Sequence, residues 1–434
     1  MRVLWLNYGL LPDACVKMGY ETQVGCGWVQ SMLSSLIDAY PQAELCVLSF
    51  DWRPCDVQIG HIRYVSFGKG ETCFSCKKIS STTQAEIAQI IKDFNPDLIH
   101  IHGTEYPYCN FDSIVYCDKP VVVSMQGLVS ECWKYMDGGL PTNAFKEIGI
   151  IPRAYLKGNS VEKIKMFWKD VRATNEIYAL KRWHHFIGRT HWDKSVLLKN
   201  NPRALYYHVD EPLRPSFYCG IQRCGIQRSR IYEHTIFSSA SYVYPLKGLH
   251  WLFDALAIVK RKFPDVQLRL ANGYSALHTK RSFSEWLRAD SYQTYLRRQI
   301  KTLDIEANLT LLPEIDSGQV RDELLRATVY VSASLCDNSP NALCEAMMLG
   351  TPVVHTDVGG VKSLLDNQRE GLLVQSCNAT ALADAIMDVF NRPGSASERA
   401  ILAQKRARVR HDRGKIGRRL LEVYDSVINF KGVK

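Results

Sequence analysis

The stretch Val329–Thr356, VYVSASLCDNSPNALCEAMMLGTPVVHT, has the pattern of a strand, a loop, a helix and a second strand in succession. Its first residues are apolar and rich in β-formers, which is typical of a buried strand. Ser339 is a favourable N-cap residue, Pro340 suits the first helical position, and Gly350 suits the residue that follows a helix. These signals predict a helix over residues 340–349.

The amino end of this predicted helix is a candidate anion site. Its first backbone N–H groups, near Ser339, Asn341 and Ala342, point out of the helix and are predicted to bind a phosphate. Further along, Glu345 can accept two hydrogen bonds from a ribose diol, and Asp337 precedes the helix within reach of sugar hydroxyls. The alternative is structural: Asp337 then only ends a loop, and Glu345 pairs with an arginine.

The same alternation of short apolar runs and helical patterns extends outward along nearly the whole chain. It is typical of parallel sheets covered by helices on both faces, so the predicted fold class is α/β. The runs are numerous enough for two sheets, and the second series restarts near residue 236. Buried strands are predicted at residues 2–6, 45–50, 98–102, 121–125, 266–271, 309–312, 329–333, 353–356 and 372–374.

The division into domains follows from this restart. Residues 1–208 are predicted to form an N-terminal Rossmann-like domain, and residues 236–414 a C-terminal one. The stretch 209–235, rich in Pro, Gly and charge, is predicted to be a linker, and a last helix in 415–434 is predicted to pack back on the first domain. Two doubly wound domains facing across a cleft suit an enzyme that joins two substrates.

Composition excludes several other classes of protein. The chain has 434 residues, of which 46% are hydrophobic and 23% charged, and this excludes a disordered or fibrous protein. No apolar run approaches the roughly 18 residues of a spanning helix, and the first residues lack the core of a signal peptide. The expected location is therefore cytoplasmic.

The fourteen cysteines are scattered, so a disulfide framework is not expected. Only Cys73 and Cys76 have the spacing of metal ligands. Zinc needs two further ligands, and no second Cys-x-x-Cys or His-x-x-x-His is present. No metal site is predicted, and reduced thiols on a surface turn are the interpretation of this pair.

The net charge of +10 is unevenly distributed, since residues 399–419 carry nine Lys or Arg against the single acid Asp412. Three interpretations are open: a solvated helix face, contact with an anionic membrane surface, and nucleic-acid binding. The segment lacks zinc-finger spacing, a basic zipper and an RNA-binding aromatic motif, so nucleic acid is the weakest of the three.

The region around the predicted helix resembles the retaining glycosyltransferases of family 4, the glycosyl transferases group 1. The resemblance rests on Asp337-x7-Glu345 within CDNSPNALCEAMMLGTPVV, followed by Gly359-Gly360. That family carries Glu-x7-Glu, so the first acid here is one methylene shorter. The resemblance implies the two-domain GT-B fold, with Glu345 on the nucleotide ribose and Asp337 on the donor sugar.

The sequence YPLKGLHWLFDAL, residues 244–256, is similar to the family segment whose lysine, here Lys247, neutralises the donor pyrophosphate. Tyr242 stands where the family usually has an arginine, so phosphate binding is expected to depend on Lys247 and helix amides. Gly25 and Gly27 precede a predicted helix, and the family places such a glycine loop against the donor phosphate. A solvated helix start and a tight turn are the respective alternatives.

Two predicted strand ends and the aromatic residues after the second one complete the resemblance. His102 ends the strand LIHIH and, as the resemblance implies, contacts the sugar; a buried structural histidine is the alternative. Gln126 follows the next strand, at a position where the family often has a histidine. Trp133 and Tyr135 come soon after it and are candidates for stacking on an acceptor sugar, with packing against a helix as the alternative.

The resemblance implies a metal-independent, retaining glycosyltransferase. It is expected to move a sugar from a UDP-sugar or a GDP-sugar to a glycan or lipid-linked saccharide. Surface polysaccharide biosynthesis is the expected setting. No cofactor is expected, since the nucleotide sugar is a substrate. Two alternatives keep the fold: a GT-B nucleotide-sugar epimerase or phosphorylase, and a non-catalytic glycan-binding relative. Peripheral association with the inner membrane face is expected only if the basic segment contacts lipid.

Overall fold

The computed structural model describes residues 1–22, 26–68, 78–112, 115–116, 118–141, 144, 161–218, 233–239, 244–271, 277 and 291–430. The chain forms two compact units. Unit 1 comprises Met1–Ser130, Asp170–Arg214 and Arg410–Lys434, and unit 2 comprises Glu131–Lys169 and Pro215–Val409.

Unit 1 contains an eight-stranded sheet of order β3-β4-β2-β1-β5-β6-β7-β8. All neighbours pair in parallel except β3 and β4, which form an antiparallel hairpin that the sequence patterns did not predict. The strands are β1 (Arg2–Tyr8), β2 (Glu44–Phe50), β3 (Pro54–Ile59), β4 (Ile62–Phe67), β5 (Leu98–His102), β6 (Val121–Ser124), β7 (His185–Gly188) and β8 (Leu205–His208).

Unit 2 contains a six-stranded, wholly parallel sheet of order β11-β10-β9-β12-β13-β14. Its strands are β9 (Thr235–Ser239), β10 (Gln267–Ala271), β11 (Leu309–Leu311), β12 (Val329–Ser332), β13 (Val353–Thr356) and β14 (Leu372–Val374). The α/β fold class and the two parallel sheets expected from the sequence are therefore confirmed.

Helices cover these sheets and cap the ends of their strands. In chain order they are α1 (Pro12–Met18), α2 (Gly27–Ala39), α3 (Ser81–Phe94), α4 (Val129–Cys132), α5 (Val161–Phe167), α6 (Thr174–Arg182), α7 (His191–Asn200), α8 (Leu249–Lys260), α9 (Ser291–Thr302), α10 (Ser317–Arg326), α11 (Asn341–Leu349), α12 (Ala379–Asn391), α13 (Pro393–Arg410) and α14 (Arg413–Ile428). A π-helix spans Trp168–Ala173, and short 3-10 turns include Pro107–Asn110, Trp133–Tyr135, Pro245–Lys247 and Val361–Ser363.

Each unit has its own core. In unit 1 the alternate residues of β1 point to opposite faces, so Val3 and Trp5 join one apolar cluster while Leu4 and Leu6 join the other. Burial on both faces explains why these strands read as continuous apolar runs. In unit 2 one cluster joins the sheet to α8, α9 and α12.

The terminal helix α14 packs on α2 in unit 1, and Leu420 and Tyr424 are among the residues it buries. The Tyr424 hydroxyl accepts a hydrogen bond from Trp5 Nε1 at 3.0 Å and lies 2.7 Å from the His100 ring. The last stretch of the chain is thus tied to the middle of the first sheet.

The observed units differ from the predicted domains in three places. Residues 410–414 belong to unit 1, the predicted linker 209–235 is divided between the units after Arg214, and one longer segment changes unit. Glu131–Lys169 groups with unit 2, whereas the sequence analysis placed it in the N-terminal domain. The physical reason is specific contact: the Gly138 carbonyl accepts a hydrogen bond from Trp251 Nε1 at 2.9 Å, and Val161 joins the core of unit 2. Among the described residues, no helix has the length and apolar character needed to cross a membrane.

Candidate active site

Lys247 and Asp337 form an ion pair in unit 2. Lys247 ends a 3-10 turn in front of α8, and Asp337 lies in the loop that follows β12. The Lys247 Nζ is 2.8 Å from the Asp337 Oδ1, and the two side chains are 32% and 15% exposed. Two residues that the sequence separates by 90 positions therefore meet at the carboxyl ends of neighbouring strands.

Both members of this pair are held in their charged forms. Burial alone raises the pKa of Asp337, but Lys247 and the nearby His355 outweigh burial and hold that pKa below its ordinary value. Burial likewise opposes the charge of Lys247, and the Asp337 carboxylate outweighs it and raises the pKa of the ammonium. The site therefore presents a partly exposed cation at neutral pH.

Two glycines hold the Asp337 loop in place. Gly248 has φ +67°, and a Cβ added to it would lie 2.0 Å from the Ala333 carbonyl oxygen. Gly359 has φ +53°, and its Cβ would lie 2.1 Å from the Asp337 carbonyl oxygen, which accepts a hydrogen bond from the Gly360 N–H at 3.0 Å. Any side chain at either glycine would displace the loop, because real Cβ atoms do not approach backbone oxygens so closely.

The helix after this loop begins one residue later than predicted. Pro340 occupies the N-cap position with ψ 113° instead of the first helical position, so Ser339 is not the N-cap and α11 starts at Asn341. Proline has no side-chain oxygen to cap a helix, and the backbone carbonyl of Pro340 accepts from Leu343 at 3.1 Å. Gly350 ends the helix at φ +75°, as predicted.

This start leaves the N–H groups of Asn341 and Ala342 at the open end of α11. Within the described ranges neither donates to a backbone carbonyl. The first turn of a helix concentrates partial positive charge, and its unpaired amides bind anions. The end of α11 and the Lys247 ammonium are thus the positive groups of the Asp337 loop region.

Glu345 lies further along α11 and is 2% exposed. Both Glu345 and Asp337 act electrostatically on the buried phenol of Tyr330, and with burial they raise its pKa. The two acids of the predicted motif therefore both lie within electrostatic range of one side chain of β12, which no sequence signal had singled out.

His355 is a second residue that sequence reasoning missed. It is fully buried on β13, and its Nδ1 lies 2.8 Å from the Thr356 carbonyl oxygen, to which it donates. Burial lowers the pKa of His355, and its Nε2 has no hydrogen-bond partner in the described part of the chain. The residue stands inside an ordinary apolar strand, so only the tertiary structure reveals that it lies within electrostatic range of Asp337.

The arrangement in unit 2 has a definite chemical capacity. A lysine and two helix amides can bind a diphosphate, and two carboxylates can accept hydrogen bonds from sugar or ribose hydroxyls. The groups converge on one loop and one helix end. Such a site can bind a nucleoside-diphosphate sugar.

The predicted histidine of unit 1 is buried. His102 ends β5 and is 1% exposed, and its ring lies 4.4 Å from that of Trp5 and 3.9 Å from that of His100, measured between centroids. Burial lowers the pKa of His102 to about 3, so the ring is neutral. Neither ring nitrogen has a hydrogen-bond partner among the residues that the structure covers, and the predicted sugar contact stays a prediction.

Two other predicted site residues of unit 1, Gly27 and Gln126, are described by the structure. Gly27 begins α2, and a Cβ added to it would meet only the Arg214 side chain, at 3.6 Å. Gln126 follows β6 and is partly exposed. Gly25, like Tyr242 and the Cys73–Cys76 pair, lies outside the described residues.

The two aromatic residues predicted to bind an acceptor belong to unit 2. Tyr135 is 45% exposed, and Trp133 is partly buried with the Lys169 Nζ 5.4 Å from its ring centroid. A stacking cation of this kind occupies one face of the indole. Tyr135 therefore keeps the more open ring of the two.

Unit 1 also contains two buried carboxyl groups that interact electrostatically, Glu105 after β5 and Glu176 on α6. Glu176 accepts hydrogen bonds from the Ser130 N–H at 2.8 Å and from the Thr104 hydroxyl at 2.9 Å. Burial and the charge of Glu105 raise the pKa of Glu176 to about 7, and burial raises the pKa of Glu105 as well. Glu105 lies three residues after His102, but no motif in the sequence distinguished it.

Comparison with known proteins agrees with this chemistry. Residues 227–408 match the family model described as glycosyl transferases group 1. The phosphatidyl-myo-inositol mannosyltransferase of Mycobacterium leprae is 30% identical over 194 residues, which are 44% of this chain and 46% of that protein. The chain thus spans about half the length of this curated relative.

Solved structures resemble the whole chain. Sucrose-phosphate synthase from Thermosynechococcus elongatus has a TM-score of 0.68 at 15% identity, covering 98% of this chain and 99% of that one. HepE from Anabaena, solved in complex with UDP, has a TM-score of 0.61 at 16% identity, covering 98% and 100%. The GT-B fold expected from the sequence is confirmed.

Proposed function

We propose that this protein transfers a sugar from a UDP- or GDP-sugar to a glycan or lipid-linked saccharide, with retention of configuration and without a metal ion. The observation that carries the proposal is the convergence of Lys247, Asp337 and the amino end of α11 in one unit. Surface polysaccharide biosynthesis is the proposed setting, on the cytoplasmic side.

The positive groups act on the leaving diphosphate. Lys247 and the amides of Asn341 and Ala342 stabilise the negative charge that grows as the bond to the sugar breaks, and such preorganised donors supply electrostatic catalysis. Glu345 holds the ribose and Asp337 a hydroxyl of the donor sugar. Both carboxylates contribute by orientation, which is worth several kcal/mol when geometry is fixed.

The proposed chemical step is a displacement on one face of the sugar. The bond between the anomeric carbon and the diphosphate oxygen breaks with its electron pair going to the diphosphate. The acceptor hydroxyl oxygen forms the new bond on the same face, and a leaving phosphate oxygen takes its proton. No side chain of this protein is assigned as a covalent nucleophile.

The names of similar proteins support the substrate classes. HepE was solved with UDP, which supports a nucleoside diphosphate on this fold. The mycobacterial relative is named as a mannosyltransferase acting on phosphatidyl-myo-inositol, which supports a lipid-linked acceptor as one candidate.

Calorimetric titration with UDP, GDP, ADP and their sugars in the presence of a chelator tests the donor site. We expect binding of one base class by the wild type and a loss of about 100-fold in affinity for Glu345→Gln, since two hydrogen bonds to a charged group are weakened. Glu323→Gln is the matched control, because Glu323 is a carboxylate of the same unit that pairs with Arg269 at 2.5 Å instead.

The outcome separates the candidate functions. Unchanged affinity in Glu345→Gln would overturn the assignment of the ribose contact. Donor turnover that needs an acceptor supports transfer, whereas sugar epimerisation without any acceptor would favour an epimerase. Binding without turnover for any acceptor would favour a non-catalytic glycan-binding protein.

We further propose that the exposed face of α13 contacts an anionic lipid surface. Five of the nine cations in residues 399–419 already form ion pairs with acids of this chain, and these are Arg399, Arg406, Arg410, Arg413 and Arg419. The exposed residues Ile401, Leu402, Lys405, Arg408 and Val409 recur at helical spacing and form one stripe, in which three apolar side chains accompany two cations.

Vesicle binding tests this stripe. Each cation near an anionic surface contributes about 1 kcal/mol, so Lys405→Glu with Arg408→Glu should weaken binding to phosphatidylserine vesicles by at least tenfold. Arg298→Glu with Lys301→Glu changes the net charge equally on another exposed helix of the unit and should have a smaller effect. Equal losses in both pairs would contradict a specific contact.

A further inference from the structure

Two cysteine thiols lie beside the Lys247–Asp337 pair. The Cys132 Sγ is 3.3 Å from the Cys336 Sγ, and the residues are 6% and 3% exposed. Cys132 ends α4 and Cys336 lies in the loop after β12, so 204 positions of sequence separate them. The sequence analysis expected no disulfide framework, and this pair stood in no recognisable motif.

The pair is coupled to the proposed donor site in two ways. Cys336 is the residue directly before Asp337, in the loop that Gly248 and Gly359 hold by close backbone contact. The Lys247 ammonium is within electrostatic range of both sulfur atoms.

We propose that Cys132 and Cys336 are an oxidative modification site, at which a peroxide forms a disulfide that weakens binding of the nucleoside-diphosphate donor. The loss of donor binding rests on the proposed function; formation of the disulfide does not. The site joins the Glu131–Lys169 segment to the Asp337 loop.

The chemistry balances with a peroxide as the oxidant. One thiolate attacks a peroxide oxygen, the O–O bond breaks, and a sulfenic acid and one water form. The second thiol then attacks the sulfenyl sulfur, the S–O bond breaks, and a second water leaves as the S–S bond forms. Two thiols lose two electrons and two protons in total, and hydrogen peroxide is reduced to two waters.

The disulfide alters the donor site because the loop has little room to move. An S–S bond is about 2.05 Å long, so the sulfur atoms approach each other by more than 1 Å. The Asp337 carbonyl already lies where a Cβ on Gly359 would not fit, which shows how closely the two backbones pack. A displacement of about 1 Å at a binding constellation costs up to about 100-fold in activity.

The experiment follows disulfide formation and donor binding separately. Full-length protein is reduced, treated with hydrogen peroxide, alkylated under denaturing conditions, and mapped by mass spectrometry for a peptide that joins Cys132 to Cys336. UDP and GDP affinities are measured by calorimetry before oxidation, after oxidation and after dithiothreitol. We expect the joined peptide, at least a tenfold loss of affinity, and full recovery on reduction.

Cysteine variants provide the controls. Cys132→Ser and, in case that protein fails to fold, Cys132→Ala remove one partner and should keep donor affinity after peroxide treatment. Cys377→Ser removes an exposed thiol of the same unit and should respond to peroxide like the wild type.

Each of the other possible outcomes overturns one part of the proposal. Absence of the joined peptide under conditions that oxidise Cys377 overturns the modification site. Formation of the disulfide with unchanged affinity overturns its effect on the donor. A reduced protein that binds no nucleotide overturns the proposed function, and the peptide map then still decides whether the thiols form a disulfide.

Discussion

At the scale of single residues, the Lys247 ammonium has two possible anionic partners, the Asp337 carboxylate and a bound diphosphate. The ammonium donates to the Asp337 carboxylate at 2.8 Å, so a diphosphate must compete with that carboxylate for the same cation. Opposite charges at this distance attract more strongly where solvent is partly excluded. The geometry therefore predicts different effects of Asp337 on the nucleotide and on the sugar.

Asp337→Asn should tighten the binding of UDP or GDP alone, by up to about tenfold, because it removes the competing anion. The same change should lower turnover of the nucleotide sugar, since the proposed contact to the sugar is weakened. Calorimetry with the nucleotide and a transfer assay measure the two effects. Asp357→Asn, which breaks an exposed ion pair with Lys362 in the same unit, is the control. Weaker nucleotide binding in Asp337→Asn would contradict the competition.

The lowered pKa of Asp337 also has a consequence for stability. An acid whose pKa is depressed in the folded state stabilises that state above its unfolded value of 3.8, and the contribution is lost as the pH falls through the folded pKa. The ion pair should therefore persist from neutral pH down to about pH 4. Nucleotide affinity is expected to show no titration of Asp337 between pH 5 and 8.

The buried carboxyls of Glu105 and Glu176 are expected to change stability with pH in the opposite direction from Asp337. An acid with a raised pKa stabilises the folded state below its unfolded value of 4.5, and this contribution disappears as the pH rises through about 7. The shift corresponds to about 3 kcal/mol of unfolding free energy. Glu105→Gln removes the neighbouring charge, so the fall in stability between pH 5 and 8 should become smaller.

Urea unfolding at several pH values measures this difference. Glu422→Gln, an exposed carboxylate on α14 of the same unit, should follow the wild type. Parallel curves for the wild type and Glu105→Gln would show that the two buried carboxyls do not interact.

At the scale of elements, the Asp337 loop and α11 depend on glycine for two separate reasons. Gly248 and Gly359 have positive φ, which a side chain disfavours, and each also packs against a backbone carbonyl at a distance that excludes a Cβ. The first cost is conformational and the second is steric. The two costs can be separated because Gly19 has a similar φ of +71° with nothing within 4 Å of its Cβ.

Gly359→Ala should destabilise unit 2 by more than the roughly 1–2 kcal/mol that a left-handed alanine costs, and should abolish measurable nucleotide binding. Gly19→Ala should show only the conformational cost and keep nucleotide affinity. Thermal unfolding and calorimetry on both variants make the comparison. Equal costs at the two glycines would mean that the contact with the Asp337 carbonyl does not constrain the loop.

At the scale of the whole molecule, the two units have separate cores, and the chain enters each of them more than once. Unit 1 depends on α14, which brings the end of the chain back to α2. Gly417 lies at this contact, and a Cβ there would meet the Ser35 carbonyl oxygen at 2.1 Å. The proposed donor site belongs to unit 2 alone.

Gly417→Ala should therefore lower the stability of unit 1 and leave donor affinity within about twofold, although alanine favours a helix by about 1 kcal/mol. Gly394→Ala, in a helix where nothing lies within 4 Å of the added Cβ, should not destabilise. Nucleotide at about 100 times its Kd should stabilise unit 2 by about 2.7 kcal/mol. Differential scanning calorimetry of both variants with and without nucleotide resolves these effects, and a stabilised Gly417→Ala would contradict the close helix contact.

The elements of the fold were largely predictable because each one carries a local signal. Parallel strands buried on both faces read as short apolar runs, and the helix after Asp337 ended at Gly350 as its glycine indicated. The start of that helix was misplaced by one residue, since the same Ser-Pro pair fits two cap positions. The β3–β4 hairpin was missed because β3 alternates between exposed and less exposed residues at the edge of the sheet, and β4 buries only three consecutive residues.

The candidate site was predictable only in part. Lys247, Asp337 and Glu345 were identified through a family motif, and their spacing along the chain is compatible with one site. His355, Glu105 and Glu176 were missed because a buried polar residue inside an apolar strand or helix has no spacing signal of its own. Their neighbours come from other strands and helices.

The sequence by itself determined the α/β class, nine of the strands that the structure describes and the positions of the two motif acids, since these depend on periodicity and on residues close together in the chain. Only the tertiary structure decided that Glu131–Lys169 packs with unit 2, that Asp337 is bound to Lys247, and that Cys132 faces Cys336. The physical reason is that contact, burial and pKa depend on which distant segments the sheets bring together, and no local pattern encodes that choice.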